Sequence, residues 1–254
     1  MAINNIKDLA GVYYEEKMYS QSLRLWKKIV NDYPGDVAAI NAASNMGAIF
    51  IEFFADYNSN DLSPLNALSF FYEFRDLVPI GKTGDDIVLQ IVGYMVDLNM
   101  LDKAASLLEH QVKNRLSGQI KELAVDVLAR IYVKSYKPEK AIKLIEEYNK
   151  VEKIPYDYMP EGRKYIYAKS LLRNHDYYKM FVVLRNDYSV PADRYRKSAY
   201  WHLRQWSNFN DNSEPYLYSI RDLNNDINFS DSKKIAKQLV SYINTGSWDL
   251  SKNM

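Results

Sequence analysis

Leu9-Ala10-Gly11-Val12-Tyr13, then Ser22-Leu23-Arg24-Leu25-Trp26, then Tyr33-Pro34-Gly35: the spacing within this stretch decides the fold. Apolar residues recur there at helical intervals, which predicts two helices over 5–17 and 20–32 with proline after the second. Each helix carries one small residue, Ala10 or Ser22, among large ones. A small side chain at a helix crossing lets the backbones approach, and large Tyr, Trp and Leu side chains then fill the layer against the next pair.

The same offsets return along the chain. Leu128-Ala129-x-x-Tyr132 precedes Ala141 as Leu9-Ala10-x-x-Tyr13 precedes Ser22, with nine residues from Tyr to the small residue. Met95 and Ala104 keep that nine, and so do Leu171 and Met180, although a methionine stands in the last small position. Ala67-x-x-x-Phe71 and Pro79 repeat the second half of the unit, twelve residues separating Ala67 from Pro79 as they separate Ser22 from Pro34. Positions 22, 67, 104, 141 and 180 lie 45, 37, 37 and 39 residues apart. One such pair cannot bury its own faces, so pairs stack on their neighbours into a solenoid.

Elsewhere, helical spacing runs through 36–57, 63–77, 85–98, 101–115, 119–134, 138–149, 160–174, 177–187, 193–206, 214–225 and 231–244. Pro, Gly and Asn clusters separate these stretches, among them 58–61, 79–84, 155–160 and 208–213. Sustained period-two alternation is missing, so the expected fold is all-α: an α-α superhelix of about six helical hairpins plus a C-terminal capping helix, as a single domain over 1–254. Repeats match the pattern better over 3–155 and diverge over 156–254.

Composition narrows the function classes. The 254 residues are 47% hydrophobic and 26% charged, ordinary for a folded soluble domain. Thirty-three Lys and Arg against 32 Asp and Glu leave +1, so no global field draws the chain to nucleic acid or an anionic membrane. With no cysteine there are no disulfides, thiolate metal sites or cysteine nucleophiles, and His110, His175 and His202 lie far apart in sequence, which argues against catalysis. The first eight residues have no basic flank before an apolar run, so no signal peptide is expected, and the chain as written reads as cytoplasmic. Residues 37–55 are long and apolar enough for a membrane span, but Asn41, Asn45 and Glu52 share one helical face, and no membrane insertion is expected.

On these residues the chain resembles the tetratricopeptide-repeat (TPR) proteins, whose unit reads W-x2-L-G-x2-Y, A-x3-F, P. The best unit is 3–36; those at 85–117 and 122–155 are fair and that at 161–190 is weak. More narrowly, Phe74-Arg-Asp-Leu-Val-Pro-Ile-Gly-Lys-Thr-Gly-Asp-Asp86 and Leu107-Leu-Glu-His-Gln-Val-Lys-Asn-Arg-Leu116 resemble the C-terminal solenoid of long bacterial TPR proteins of the α-proteobacterial type. That resemblance implies a periplasmic or envelope-associated setting if the sequence is part of a longer exported protein.

Several motifs suggest chemistry and lose to simpler readings. Gly81-Lys82-Thr83 suggests a phosphate loop, but Asp76 stands where the first glycine is required and no strand precedes it. Ser230-Asp-Ser-Lys233 and Lys82-Thr-Gly84 spell two β-lactamase motifs in reversed chain order. His175-Asp176 falls at a turn between helices, where polar residues are expected. No catalytic residue, cofactor or metal is therefore assigned.

What remains is a binding surface. The TPR resemblance implies a concave groove lined by the first helix of each unit, at its second, fifth, ninth, twelfth and thirteenth positions. Carried over, these positions include Asn4, Lys7, Tyr14 and Glu15; then Asp86, Leu89 and Asp97; then Asp126, Arg130, Val133 and Lys134; then Tyr165, Lys169, Leu172 and Arg173. A looser alignment adds Arg196, Tyr200 and Arg204. Residues 160–205 hold ten Lys and Arg and four Asp and Glu, so the groove is expected to turn basic and aromatic there. The expected function is a non-enzymatic scaffold or adaptor holding a protein or peptide, preferably acidic. The alternative is single-stranded nucleic acid along 160–205, by stacking and phosphate contacts; solvated cations with no partner remain the plain reading. Lys7 also matches a carboxylate-clamping lysine of some chaperone-binding TPR domains, but Gly11 replaces the asparagine that clamp uses.

Overall fold

A computed structural model describes residues 2–57, 63–211 and 229–246. Among them are thirteen α-helices and no strand. They sort into two compact units, Met1–Ser135 and Tyr136–Met254. The division falls inside the hairpin expected over 122–155, whereas the repeat pattern of the sequence changes near 155.

The first unit contains α1 (Ala2–Glu15), α2 (Tyr19–Asp32), α3 (Val37–Tyr57), α4 (Pro64–Glu73), α5 (Lys82–Asp97), α6 (Leu101–Asn114) and α7 (Gly118–Lys134). Each of α1, α2 and α3 packs on its successor, as do α4, α5 and α6. Ala10 and Ser22 are fully buried where α1 and α2 cross, and the Ser22 hydroxyl donates to the Ala10 carbonyl at 2.8 Å. That contact is possible only because both side chains are small. Val92, Ala104 and Ala129, at equivalent positions, are also fully buried.

The membrane-length apolar run contributes one face to the core of this unit, 44% of it being buried. Val37–Ala55 is apolar and long enough to span a bilayer by length and composition, with mean hydropathy 1.4. Its Phe50, Phe53 and Phe54 are buried, and Phe53 stacks on Phe70 of α4 at 3.7 Å between ring centroids. Aromatic packing of this kind accounts for the buried part of the run, while Val37 and Ile40 are exposed.

The second unit contains α8 (Pro138–Val151), α9 (Glu161–Arg173), α10 (Tyr177–Leu184), α11 (Val190–His202), α12 (Trp206–Asp211) and α13 (Phe229–Thr245). Again successive helices pack, and α9 lies against both α10 and α11. Met180 is fully buried in the small-residue position, its unbranched chain fitting where alanine sits elsewhere. α12 lies where the sequence predicts a break at 208–213. Asn and Asp hide its propensity, but Phe209 is buried beside Trp201, and Gln238 of α13 donates to the Asn210 side chain at 2.8 Å. The helix expected at 214–225 lies outside the described residues; the cap expected at 231–244 is α13.

The repeat is sharpest in the backbone. Lys17, Asn99, Tyr136, His175 and Arg204 all adopt left-handed φ between 56° and 61°, and each stands five residues before position 22, 104, 141, 180 or 209. At four of these turns the next amide bonds back to Tyr13, Met95, Leu171 or Tyr200, at 2.7–2.9 Å. This is the Schellman stop, made here without glycine. His175 therefore occupies a turn, as its sequence position suggests.

Candidate binding surface

In the first unit, α1 and the start of α3 enclose an open depression of about 570 Å³. Asn4 and Lys7 line it from α1, Ala38 and Asn41 from α3, with Tyr33 and Asp36 of the connecting turn beneath. Two of the expected groove positions thus share one surface. Ala38 and Asn41 were missed, yet each stands 34 residues, one standard unit, beyond Asn4 or Lys7. The 21-residue length of α3 displaces the following repeat and hides that register.

The other expected residues of this unit behave differently. Tyr14 donates its hydroxyl to Glu52 at 2.5 Å and meets Tyr19 edge to face, so it ties α1 to α3. Asp126 is half-buried on α7, and Arg130 and Lys134 follow it at four-residue intervals with exposed side chains.

Within the second unit the basic segment 160–205 is partly engaged by its own packing, while Lys169, Arg173, Arg185, Arg194 and Arg204 are exposed. Arg163 is fully buried, with its guanidinium 4.7 Å from the Tyr148 ring and bonded to Asn149 at 3.4 Å. Lys179 pairs with Glu146 and Arg185 with Asp157, both at 2.5 Å. Arg196 pairs with Asp193 at 2.5 Å and donates to the Leu184 and Asp187 carbonyls, which closes the end of α10. Burial lowers the pKa of Lys197, partly offset by Asp193. Lys169 and Arg204 remain exposed, and Arg173 lies over the Tyr136 ring at 5.3 Å. Tyr165 bonds Ser189 at 2.7 Å and Tyr200 stacks on Phe181 at 5.0 Å, so both rings hold helices together.

Two arrangements had no sequence signal. His175 and His202 come within 6.3 Å between ring centroids, with Tyr177 stacked on His202; among the described residues no group of three or more side chains could hold a metal. Glu109 on α6 accepts from Tyr132 on α7, and Glu146 on α8 accepts from Tyr167 on α9 at 2.5 Å. Both glutamates stand five residues after a small-position alanine, Ala104 or Ala141. Burial and the facing carboxylate push both tyrosine hydroxyls well above the ordinary phenol value. The hydroxyls therefore stay protonated and donate.

No family model matches the chain, and no curated protein matches it. Among solved structures it is similar to a crystal structure of nearly identical TPR-like repeats of a kinesin light chain from Podosopora anserina. Identity is 12% and the TM-score 0.39, over 80% of this chain and 97% of that one.

Proposed function

We propose that this protein is a non-enzymatic interaction module that holds a protein or peptide segment against the first helices of its hairpins. The depression between α1 and α3 carries the reading. Asn4 and Asn41 offer amides that both donate and accept, as peptide groups require, and Lys7 supplies a cation beside Val37, which is 69% exposed. Lys7 favours an acidic residue in the bound segment. Against a nucleic-acid partner, Arg163 is buried and Lys179, Arg185 and Arg196 pair with carboxylates, so four of the ten cations over 160–205 are already engaged within the second unit.

Site-specific photo-crosslinking in extracts of the native cell tests this. A photoreactive phenylalanine at Asn4 or Asn41 should yield a discrete adduct that excess unmodified protein competes away. The same residue at Lys28, exposed on the second helix α2, should yield none. Equal adducts from position 28, or none from 4 and 41, would refute it.

A further inference from the structure

Three rings of the second unit meet where the turn from α9 to α10 approaches the end of α11. His175 makes the left-handed stop after α9, Tyr177 is the first residue of α10 and His202 the last of α11. Ring centroids lie 5.9 Å apart for His175 and Tyr177, 6.0 Å for Tyr177 and His202, and 6.3 Å for the two histidines. Both imidazoles are exposed, so a solute can reach them. The Tyr177 hydroxyl lies 2.7 Å from His175 Nδ1, which directs that nitrogen towards Tyr177 and so into the cluster.

Imidazole is the commonest side-chain ligand of borderline divalent metals. Metal–nitrogen bonds of about 2.0–2.1 Å place two ring centroids about 5 Å apart on one tetrahedral ion. The histidines stand about 1 Å wider than that, a gap that rotation of two exposed side chains closes without moving either helix.

The surroundings select the ion. Asp176, next to His175 in the chain, caps α10 by accepting from the Lys179 amide at 3.2 Å. Lys179 pairs with Glu146 at 2.5 Å and Arg173 lies over the Tyr136 ring at 5.3 Å, so both cations are drawn to other partners. Two imidazoles as the protein ligands suit zinc or copper, whereas magnesium and calcium need oxygen.

We infer that His175 and His202 together bind one divalent transition-metal ion, zinc or copper, with water in its remaining positions. The two ligands belong to successive hairpins, α9 with α10 and α11 with α12, so a bound ion joins them and stabilises their packing. This site lies in the second unit, away from the α1 and α3 depression of the first.

The test is titration of the full chain with zinc chloride, followed by the ring resonances of all three histidines. His175 and His202 should shift together and saturate at one zinc per chain, with a dissociation constant on the order of 10 µM. His110, exposed on α6 of the first unit, should stay in place. By calorimetry, copper(II) should bind tighter than zinc and magnesium should not bind. His175→Asn and His202→Gln should each weaken zinc at least about tenfold. Asparagine tolerates the left-handed backbone at 175, and position 202 is exposed, so both variants retain the fold. Saturating zinc should also raise the thermal midpoint of the native chain and leave that of His175→Asn unmoved. Zinc shifts of equal size at all three histidines, full affinity in either variant, magnesium as tight as zinc, or unmoved His175 and His202 resonances overturns the inference. None of these outcomes depends on α1 or α3, so failure here leaves the first-helix proposal standing.

Discussion

Ser22, Ala104 and Ala141 carry most of the repeat information because a buried small side chain sets how closely two helix axes approach. All three have no exposed surface. Ala104→Leu should therefore lower the unfolding free energy by about 1–3 kcal/mol through overpacking. Trp26, only 9% exposed, should cost about 3–5 kcal/mol when cut to alanine. Denaturant midpoints of the two variants check both figures. Gly84 is constrained for another reason: a Cβ there would stand 1.9 Å from the Pro79 carbonyl oxygen, so this glycine of the β-lactamase-like Lys82-Thr-Gly84 serves close packing. Glu146 gives a pH prediction. Burial alone would raise its pKa, but the hydrogen bonds from Lys179 and Tyr167 hold it below its ordinary 4.5. A lowered pKa gives stability that is present above the ordinary value and is lost as pH falls from there through the folded-state value. The urea midpoint of the native chain should accordingly exceed that of Glu146→Gln near pH 6, and the gap should narrow as pH falls below the ordinary 4.5. Parallel curves would mean that the ionised pair adds nothing.

At the scale of the element, the turns obey a rule that the residue types conceal. Left-handed backbone favours glycine, yet Lys17, Asn99, Tyr136, His175 and Arg204 fill these stops. Steric cost there is greater for arginine than for asparagine, which tolerates the left-handed region. Arg204→Gly should thus raise the thermal midpoint more than Asn99→Gly, and calorimetry of the two variants measures the difference. Helix limits followed the sequence pattern closely for α2, α6 and α7, where apolar spacing and breakers agree. α12 was illegible because Asn and Asp favour turns locally, while burial of Phe209 and the bond from Gln238 come from distant chain. The paired Glu and Tyr between successive helices were equally hidden, since 23 or 21 residues separate the partners.

For the whole molecule, the presence of two compact units makes a direct prediction. Residues 1–135 expressed alone should give a helical circular-dichroism spectrum and a cooperative melt, because their core helices find their neighbours within that unit. A gradual melt without a transition would contradict it. The sequence by itself determined that the chain is helical, where most helices begin and end, and that hairpins with small buried crossings recur, because these depend on spacing within about 40 residues. Only the tertiary structure decided which charges reach solvent. Ten cations counted over 160–205 look like a basic surface, but Arg163 is buried and Arg196 closes a helix end. Counting charge in sequence cannot separate a cation that faces water from one that already has a partner across the core, since that distinction depends on contacts between helices.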